Sequence, residues 1–456
     1  MQSRSAPPPP LRPPRPRAPR SAEPALTRRG LMGLAGASAA VGATALAGCG
    51  DGGTATDPDT LQVWSGLPPE SGPQDLIDRF QEAHPDIPVR YTRYVNDDRG
   101  NLKVNTALQG GVDIDVFFTF GVENLAMRGG TDISADLGDR VRATPELARF
   151  LDPDQPMALI DGDTVTAIAT TRAPNFILFN DTLREEAGVE LPESWTWQEY
   201  LEVLDRLSRD GRHGSYTLPD MPRIAIGPDY RFTDQGDSNF SHPAFLEHFE
   251  TSASLIRDGV LYPWSQALAR QVEAYQQNNF IAEDFASWVT APYSLRFLND
   301  QEGYPHDFSV SAAPIPTVEG QDWNTGEYGA FIQINAKSRK QEWAWEFCKF
   351  WLLEGARDML KAGYMSIISD VEEDEILAGL LGEGAEEFFD VESFRRTLFD
   401  GPPELHLDTE LTAYSEISLK YEQQRDVCWL LERSPERAIR TVDRNTQALI
   451  DRFAEQ

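Results

Sequence analysis

Aromatic, amide and carboxylate side chains recur where the apolar runs of this chain end. Trp64 and Gly66 follow the run from Leu61, Asn96 and Asp97 follow Val89 to Val95, and Phe118, Phe120 and Glu123 close the run from Val112. In an open α/β sheet such strand ends border the ligand crevice. An aromatic ring there covers the C–H face of a pyranose, and amides and carboxylates hydrogen-bond in pairs with its hydroxyls. The chemistry on offer is recognition of a polyhydroxylated solute. Groups suited to covalent work are missing: no Gly-x-Ser-x-Gly elbow, His-Glu-x-x-His pair or Walker A loop occurs. The histidines are scattered, and His242 and His248 do not share a helical face, so neither a metal nor a cofactor is expected. A glycosidase would need two carboxylates, but 73 acidic residues supply pairs anywhere, so their presence decides nothing.

Alternating strands and helices must position these ends. Leu61 to Trp64 reads as a strand, Pro73 to Ala83 as a helix with Leu76, Ile77 and Phe80 on one face, and Val89 to Val95 as a second strand. A helix from Asn101 to Gln109 and a buried strand from Val112 to Phe118 complete a doubly wound α/β start. Further on, Phe176 to Phe179 is an apolar run stopped by Asn180 and Asp181, and a short helix follows that ends at Gly188. Ser194 or Thr196 can then cap a helix carrying Trp197, Tyr200, Leu201 and Leu204. Helices are expected over 247–259 and 340–350 with a strand over 330–334, and three more helices over 372–389, 411–429 and 435–453.

Phe179-Asn180, Ala187-Gly188 and the run Ser194-Trp195-Thr196-Trp197-Gln198-Glu199 resemble, in that order, the signature of the family 1 extracellular solute-binding proteins, the sugar receptors of ABC importers. Val63-Trp64, Phe80 to Val89, Ala107 to Val116, Gly129 to Leu137 and Ala344 to Phe350 resemble further segments of that family, so the likeness covers most of residues 60 to 368. Arg184, Ile114, Asp284 and Phe285 depart from its pattern. The resemblance implies an α/β, periplasmic-binding-protein-like fold: two α/β lobes joined by a three-strand hinge, with the ligand cleft between them. Lobe 1 would be 61–170 plus 317–368 and lobe 2 171–316 plus 369–456, with crossings near Thr170, near Pro314 to Pro316 and near Tyr364 to Ser369. It adds Arg172 and Asn175 at the first crossing, Trp288 with Tyr293 nearby, Tyr328 in the loop Gly326 to Gly329, and Tyr364 at the third crossing as ligand-binding candidates. It further implies a monomer that catalyses no reaction and delivers a carbohydrate, an oligosaccharide by this reading, to an ABC permease. A polyamine or other small-solute receptor on the same fold ranks behind it, and a secreted glycosidase behind that.

The chain has 456 residues and a formal charge of −32, unevenly placed. Residues 1–48 hold seven arginines and one acid, Glu23, which leaves 34 basic and 72 acidic side chains in the remainder. Such a surface repels phosphate backbones, so nucleic acid is excluded as a partner. Thr27-Arg28-Arg29-Gly30-Leu31-Met32 resembles a twin-arginine export signal, and Leu46-Ala47-Gly48-Cys49 resembles a lipobox. The Ala/Gly-rich run between them is too short and too weakly apolar to span a bilayer. The expectation is a signal peptide over 1–48, a lipid on Cys49 that anchors an extracytoplasmic protein to the cell membrane, and a linker over 49–60. Cys348 and Cys428 lie in helical patterns and read as buried free thiols.

Overall fold

The computed structural model describes residues 58–130, 132–152, 156–209, 211–272, 276–368, 371–382, 384–400 and 405–455. The expected export signal, Cys49 and most of the linker lie outside them. In chain order the strands are β1 (Leu61–Ser65), β2 (Val89–Arg93), β3 (Val116–Thr119), β4 (Ala158–Asp161), β5 (Thr164–Ile168), β6 (Thr171–Ala173), β7 (Phe176–Asn180), β8 (His213–Ser215), β9 (Phe285–Thr290), β10 (Val310–Ala313), β11 (Glu327–Gly329), β12 (Phe331–Ile334) and β13 (Met365–Ser366).

They form three sheets. The first has the order β2-β1-β3-β12-β5-β4, the second β10-β7-β9-β8, and the third β11-β6-β13. In the first, β1 is parallel to both β2 and β3, and helices Pro73–Ala83 and Asp98–Gln109 make the crossovers. Strand side chains alternate between faces, and the sequence obeys this: Val63 and Phe118 enter the core with Phe80 and Trp351, while Phe117 packs with Val104 and Leu108 on the other face. Asp115, at the start of β3, ties this sheet to later chain. Its carboxylate accepts from Gln62 N at 2.8 Å and from Lys340 Nζ at 2.8 Å.

The second sheet begins where the signature-like stretch predicts. Every residue of β7 is buried, and Asn180 closes it by accepting from Leu183 N, which starts helix Asp181–Glu186. Thr196 then caps helix Trp197–Leu207 in a capping box, its hydroxyl accepting from Glu199 N while the Glu199 carboxylate accepts from Thr196 N. Trp195, Tyr200 and Leu204 from this stretch form one core face of the sheet. On the other face Phe176, Leu178 and Trp288 meet helix Pro243–Asp258 and the two last helices, Tyr414–Trp429 and Pro435–Ala454. Cys348 and Cys428 are free and buried in different cores.

The third sheet is the hinge. β6 carries the chain from β5 to β7, β11 returns it from β10 to β12, and β13 pairs with β6 where the chain leaves for its C-terminal helices. The middle segment lies later than the expected crossing near Pro314 to Pro316. Thr317 N donates to Trp195 O at 2.9 Å and Val318 is buried beside Trp195, so this stretch stays with the second sheet and the chain returns only at Glu327. Gly326 is required at that point because a Cβ there would sit 2.2 Å from Ala173 O.

Candidate functional site

A cleft of about 790 Å³ runs along the hinge and takes walls from both large sheets. From the first sheet's side come Gly66, Asn96, Asp97, Phe120 and Asn124, from the hinge Thr171, Ala173, Asn175, Glu327, Gly329 and Tyr364, and from the second sheet's side Gln276, Gln277, Trp288, Tyr293, Arg296 and Phe297. Local geometry explains several of these. Gly66 follows β1 between two neighbours: a Cβ would meet Asn96 Cβ and Phe120 Cε2, each at 3.1 Å, so a larger residue would narrow the cleft floor. Asn175 fixes the loop opposite it, donating from its backbone N to Asn324 Oδ1 at 2.8 Å and from Nδ2 to Thr325 Oγ1 at 2.9 Å. Asp97 is committed to the fold, since its carboxylate caps helix Asp98–Gln109 by accepting from Gly100 N at 2.7 Å. Trp288 reaches the cleft from β9 but is only 2% exposed, and its Nε1 donates to Gln276 Oε1. Tyr293, at 41% exposure, offers the larger free face.

Of the sequence candidates, Gly66, Asn96, Asp97, Phe120, Asn175, Trp288, Tyr293 and Tyr364 come together in this cleft. Five others lie off its lining. Trp64 is half-buried against the cluster of Tyr94, Val104 and Phe117, with Lys103 Nζ 5.4 Å from its ring centroid. Phe118 is buried on the opposite face, its ring centroid 4.5 Å from that of Trp351. Glu123 points to helix Tyr414–Trp429, where its Oε1 accepts from Ser418 Oγ at 3.2 Å. Arg172 and Tyr328 are paired across β6 and β11 and so share a face of the hinge sheet, whereas Thr171, Ala173, Glu327 and Gly329 take the alternate positions that line the cleft. Burial lowers the pKa of Arg172 below the usual guanidinium range, with the neighbouring Tyr328 acting the other way.

Sequence reasoning missed Gln276, Gln277, Arg296, Phe297 and Glu327. The first four sit on two short helices, Gln276–Ile281 and Leu295–Asn299, that carry no pattern marking their exposed ends. Gln277 is 6% exposed and its amide has no hydrogen-bond partner among the described residues, so it is available to a ligand. Glu327 adjoins the candidate Tyr328, and strand alternation places Glu327, not Tyr328, toward the cleft. Burial pushes its carboxyl up to about 7, with Arg223 opposing and Glu123 and Asp408 adding to the shift. Among the described residues no group of His, Cys, Asp and Glu could hold a metal ion.

The architecture of two sheets, a three-strand hinge and a cleft between them is matched in sequence as well. The family model of the bacterial extracellular solute-binding proteins fits residues 65–358. The chain belongs to that family. Its members are binding proteins, not enzymes, and the structural neighbours share this two-lobed fold. An ABC substrate-binding protein of Listeria monocytogenes in complex with cycloalternan aligns with a TM-score of 0.69 at 17% identity, covering 86% of this chain and 99% of that one. Maltose-bound MalE3 of T. maritima aligns at 0.63 and 18%, covering 86% and 99%. A solute-binding protein of Thermotoga lettingae bound to α-D-tagatose aligns at 0.65 and 18%, covering 86% and 100%. At these identities the likeness is one of fold. No curated protein matches the chain. Among the described residues of this solute-binding protein no helix is long and apolar enough to cross a membrane.

Proposed function

We propose that this solute-binding protein captures a carbohydrate, of oligosaccharide size, between its lobes and presents it to an ABC permease. The observation that carries the reading is the make-up of the cleft. Aromatic Phe120, Tyr293, Phe297 and Tyr364 alternate there with the amides of Asn96, Asn124, Asn175, Gln276 and Gln277. Flat apolar faces and amides that both donate and accept match the two surfaces of a pyranose. The volume of about 790 Å³ lies within the range of roughly 300–1,000 Å³ typical of small-ligand sites and leaves room for more than one sugar ring. Polar groups come from both walls, so a ligand that touches both favours the closed arrangement of the lobes over the open one. The family and the structural neighbours that bind maltose, cycloalternan and α-D-tagatose support the solute class.

On this reading the lobes divide at the three hinge strands, and the protein works as a monomer held at the outer face of the membrane by a lipid on Cys49 after twin-arginine export. Cys49→Ala then releases it from the membrane fraction. The ligand class is tested by intrinsic tryptophan fluorescence of the chain from residue 50 onward, titrated with mono- and oligosaccharides and with polyamines, with a check for sugar hydrolysis. A saturable response to a sugar without turnover is expected. A response to polyamines alone, or release of a hydrolysis product, contradicts the proposal.

A further inference from the structure

Of the two cleft carboxyls that have no partner among the described residues, Asp98 is exposed to water and Glu327 is half-buried. Glu327 opens β11 and faces the same side of the hinge sheet as Thr171 and Ala173, and its carboxyl makes no hydrogen bond and pairs with no cation among the described residues. Three elements surround it with charge. Helix Val122–Arg128 brings Glu123, helix Met221–Ile226 brings Arg223, and the segment 405–409 brings His406, whose backbone bridges to that of Glu327, and Asp408. Burial, with Arg223 adding to it, lowers the His406 imidazole to about 4 and so leaves it neutral near pH 7, and the three charged neighbours are satisfied elsewhere. Glu123 accepts from Ser418, and both oxygens of Asp408 hold Arg223 Nη1, at 2.8 and 3.0 Å. Asp408 also accepts from Tyr414 Oη at 3.0 Å and from Asp229 N at 3.2 Å. The guanidinium that acts on Glu327 is therefore already neutralised by Asp408, and Glu123 and Asp408 add negative charge around it. Two other arginines line the cleft, but neither acts on this group. Arg296 lies over the Phe297 ring at 4.8 Å and beside Tyr364, and Arg93 is exposed on the opposite wall.

We propose that the carbohydrate taken by this cleft carries a basic nitrogen and that Glu327 is the residue that recognises it, pairing with the ammonium of an amino sugar. The proposal rests on the carbohydrate reading above. An ammonium brings to this point the cation that the protein leaves out, and its N–H donors reach a carboxylate with unused acceptor sites in a charge-assisted bond. A neutral sugar gains only an ordinary hydrogen bond there and leaves Glu327 without a counter-ion of its own, since Arg223 is held by Asp408 and Arg231, the other guanidinium of this cluster, donates to Ser418. Burial pushes the Glu327 carboxyl up to about 7, with Arg223 opposing and Glu123 and Asp408 adding to the shift, in keeping with an acid whose ionised form lacks a counter-ion.

Calorimetric titration at about pH 7.5 with three trimers separates the possibilities: the glucosamine trimer, its fully N-acetylated analogue and maltotriose. The expected result is binding of the glucosamine trimer at least tenfold tighter than either neutral trimer, with Glu327→Gln abolishing the preference. Equal or tighter binding of a neutral trimer overturns the inference, as does a preference that survives in Glu327→Gln; both leave the carbohydrate reading intact. If none of the three binds while a neutral sugar of the wider panel does, the inference again falls alone. If no sugar binds, the carbohydrate reading falls and this inference with it. A ligand-free measurement tests the premise. The folded carboxyl holds its proton to higher pH than the unfolded one, so ionisation costs the native state, and the Tm of Glu327→Gln should rise relative to wild type as pH increases through about 7. A difference that stays constant with pH shows that the carboxyl is compensated and overturns the proposal.

Discussion

Trp288 reaches the cleft by its edge: Phe280 packs on its ring at 5.8 Å and Gln276 holds its indole nitrogen. Its removal should act twice. Trp288→Ala is expected to weaken sugar binding by about 1–3 kcal/mol, the usual cost of losing one buried aromatic contact, and to lower stability through the cavity left behind. Trp64→Ala, on the helix-covered face of the first sheet, should leave affinity within about 0.5 kcal/mol of wild type. Calorimetry on both decides, and equal losses would move the site. Glu327 sets the pH response. An ammonium ligand stabilises the ionised carboxylate and so lowers its pKa in the complex, which means affinity rises with pH toward about 7 and falls again once the ligand's own ammonium loses its proton. Titration calorimetry from about pH 6 to about pH 8 reads this directly, and Glu327→Gln should flatten the curve. At this scale the sequence is least legible. Tyr328 and Glu327 differ by one position, and a strand turns adjacent side chains to opposite faces, so a chosen hinge residue falls on the cleft only if the register is known. Arg172 misses the cleft for the same reason, between Thr171 and Ala173 that line it.

Elements were far easier to read, because their signals are local. The Thr196–Glu199 spacing marks a helix start, and the capping box is formed there, with Trp197–Leu207 following. Thr196→Ala should cost about 1 kcal/mol in urea unfolding, since it frees the Glu199 backbone N–H and loosens the entry of Trp197 and Tyr200 into their core. A loss below the error of the measurement would show that tertiary packing alone holds this end. Helix Pro73–Ala83 matches its expected span because Pro73 supplies the first position and Leu76, Ile77 and Phe80 recur on one face. Pro314 to Pro316 gave a false crossing. Proline marks a break in regular structure without saying which core the chain joins next, and here Ile315 and Val318 remain against Trp195.

At the scale of the molecule, what holds the C-terminal third in place had no local signature. Arg223 and Asp408 are 185 residues apart, yet they form a buried ion pair beside the hinge. Burial alone would raise the Asp408 carboxyl, but Arg223 brings it below the usual range, so its contribution to stability is present above the unfolded carboxylate pKa and lost as pH falls through the folded one. Asp408→Asn leaves a guanidinium half-paired in the interior and should cost about 3–5 kcal/mol in denaturant unfolding near neutral pH, with the deficit shrinking in acid. Two walls and three hinge strands make sense together only if the cleft changes width when it is filled. Small-angle X-ray scattering with and without a saturating sugar tests that most directly. A smaller radius of gyration in the sugar-bound protein is the expected result. Saturable binding at an unchanged radius would contradict capture by closure between the lobes.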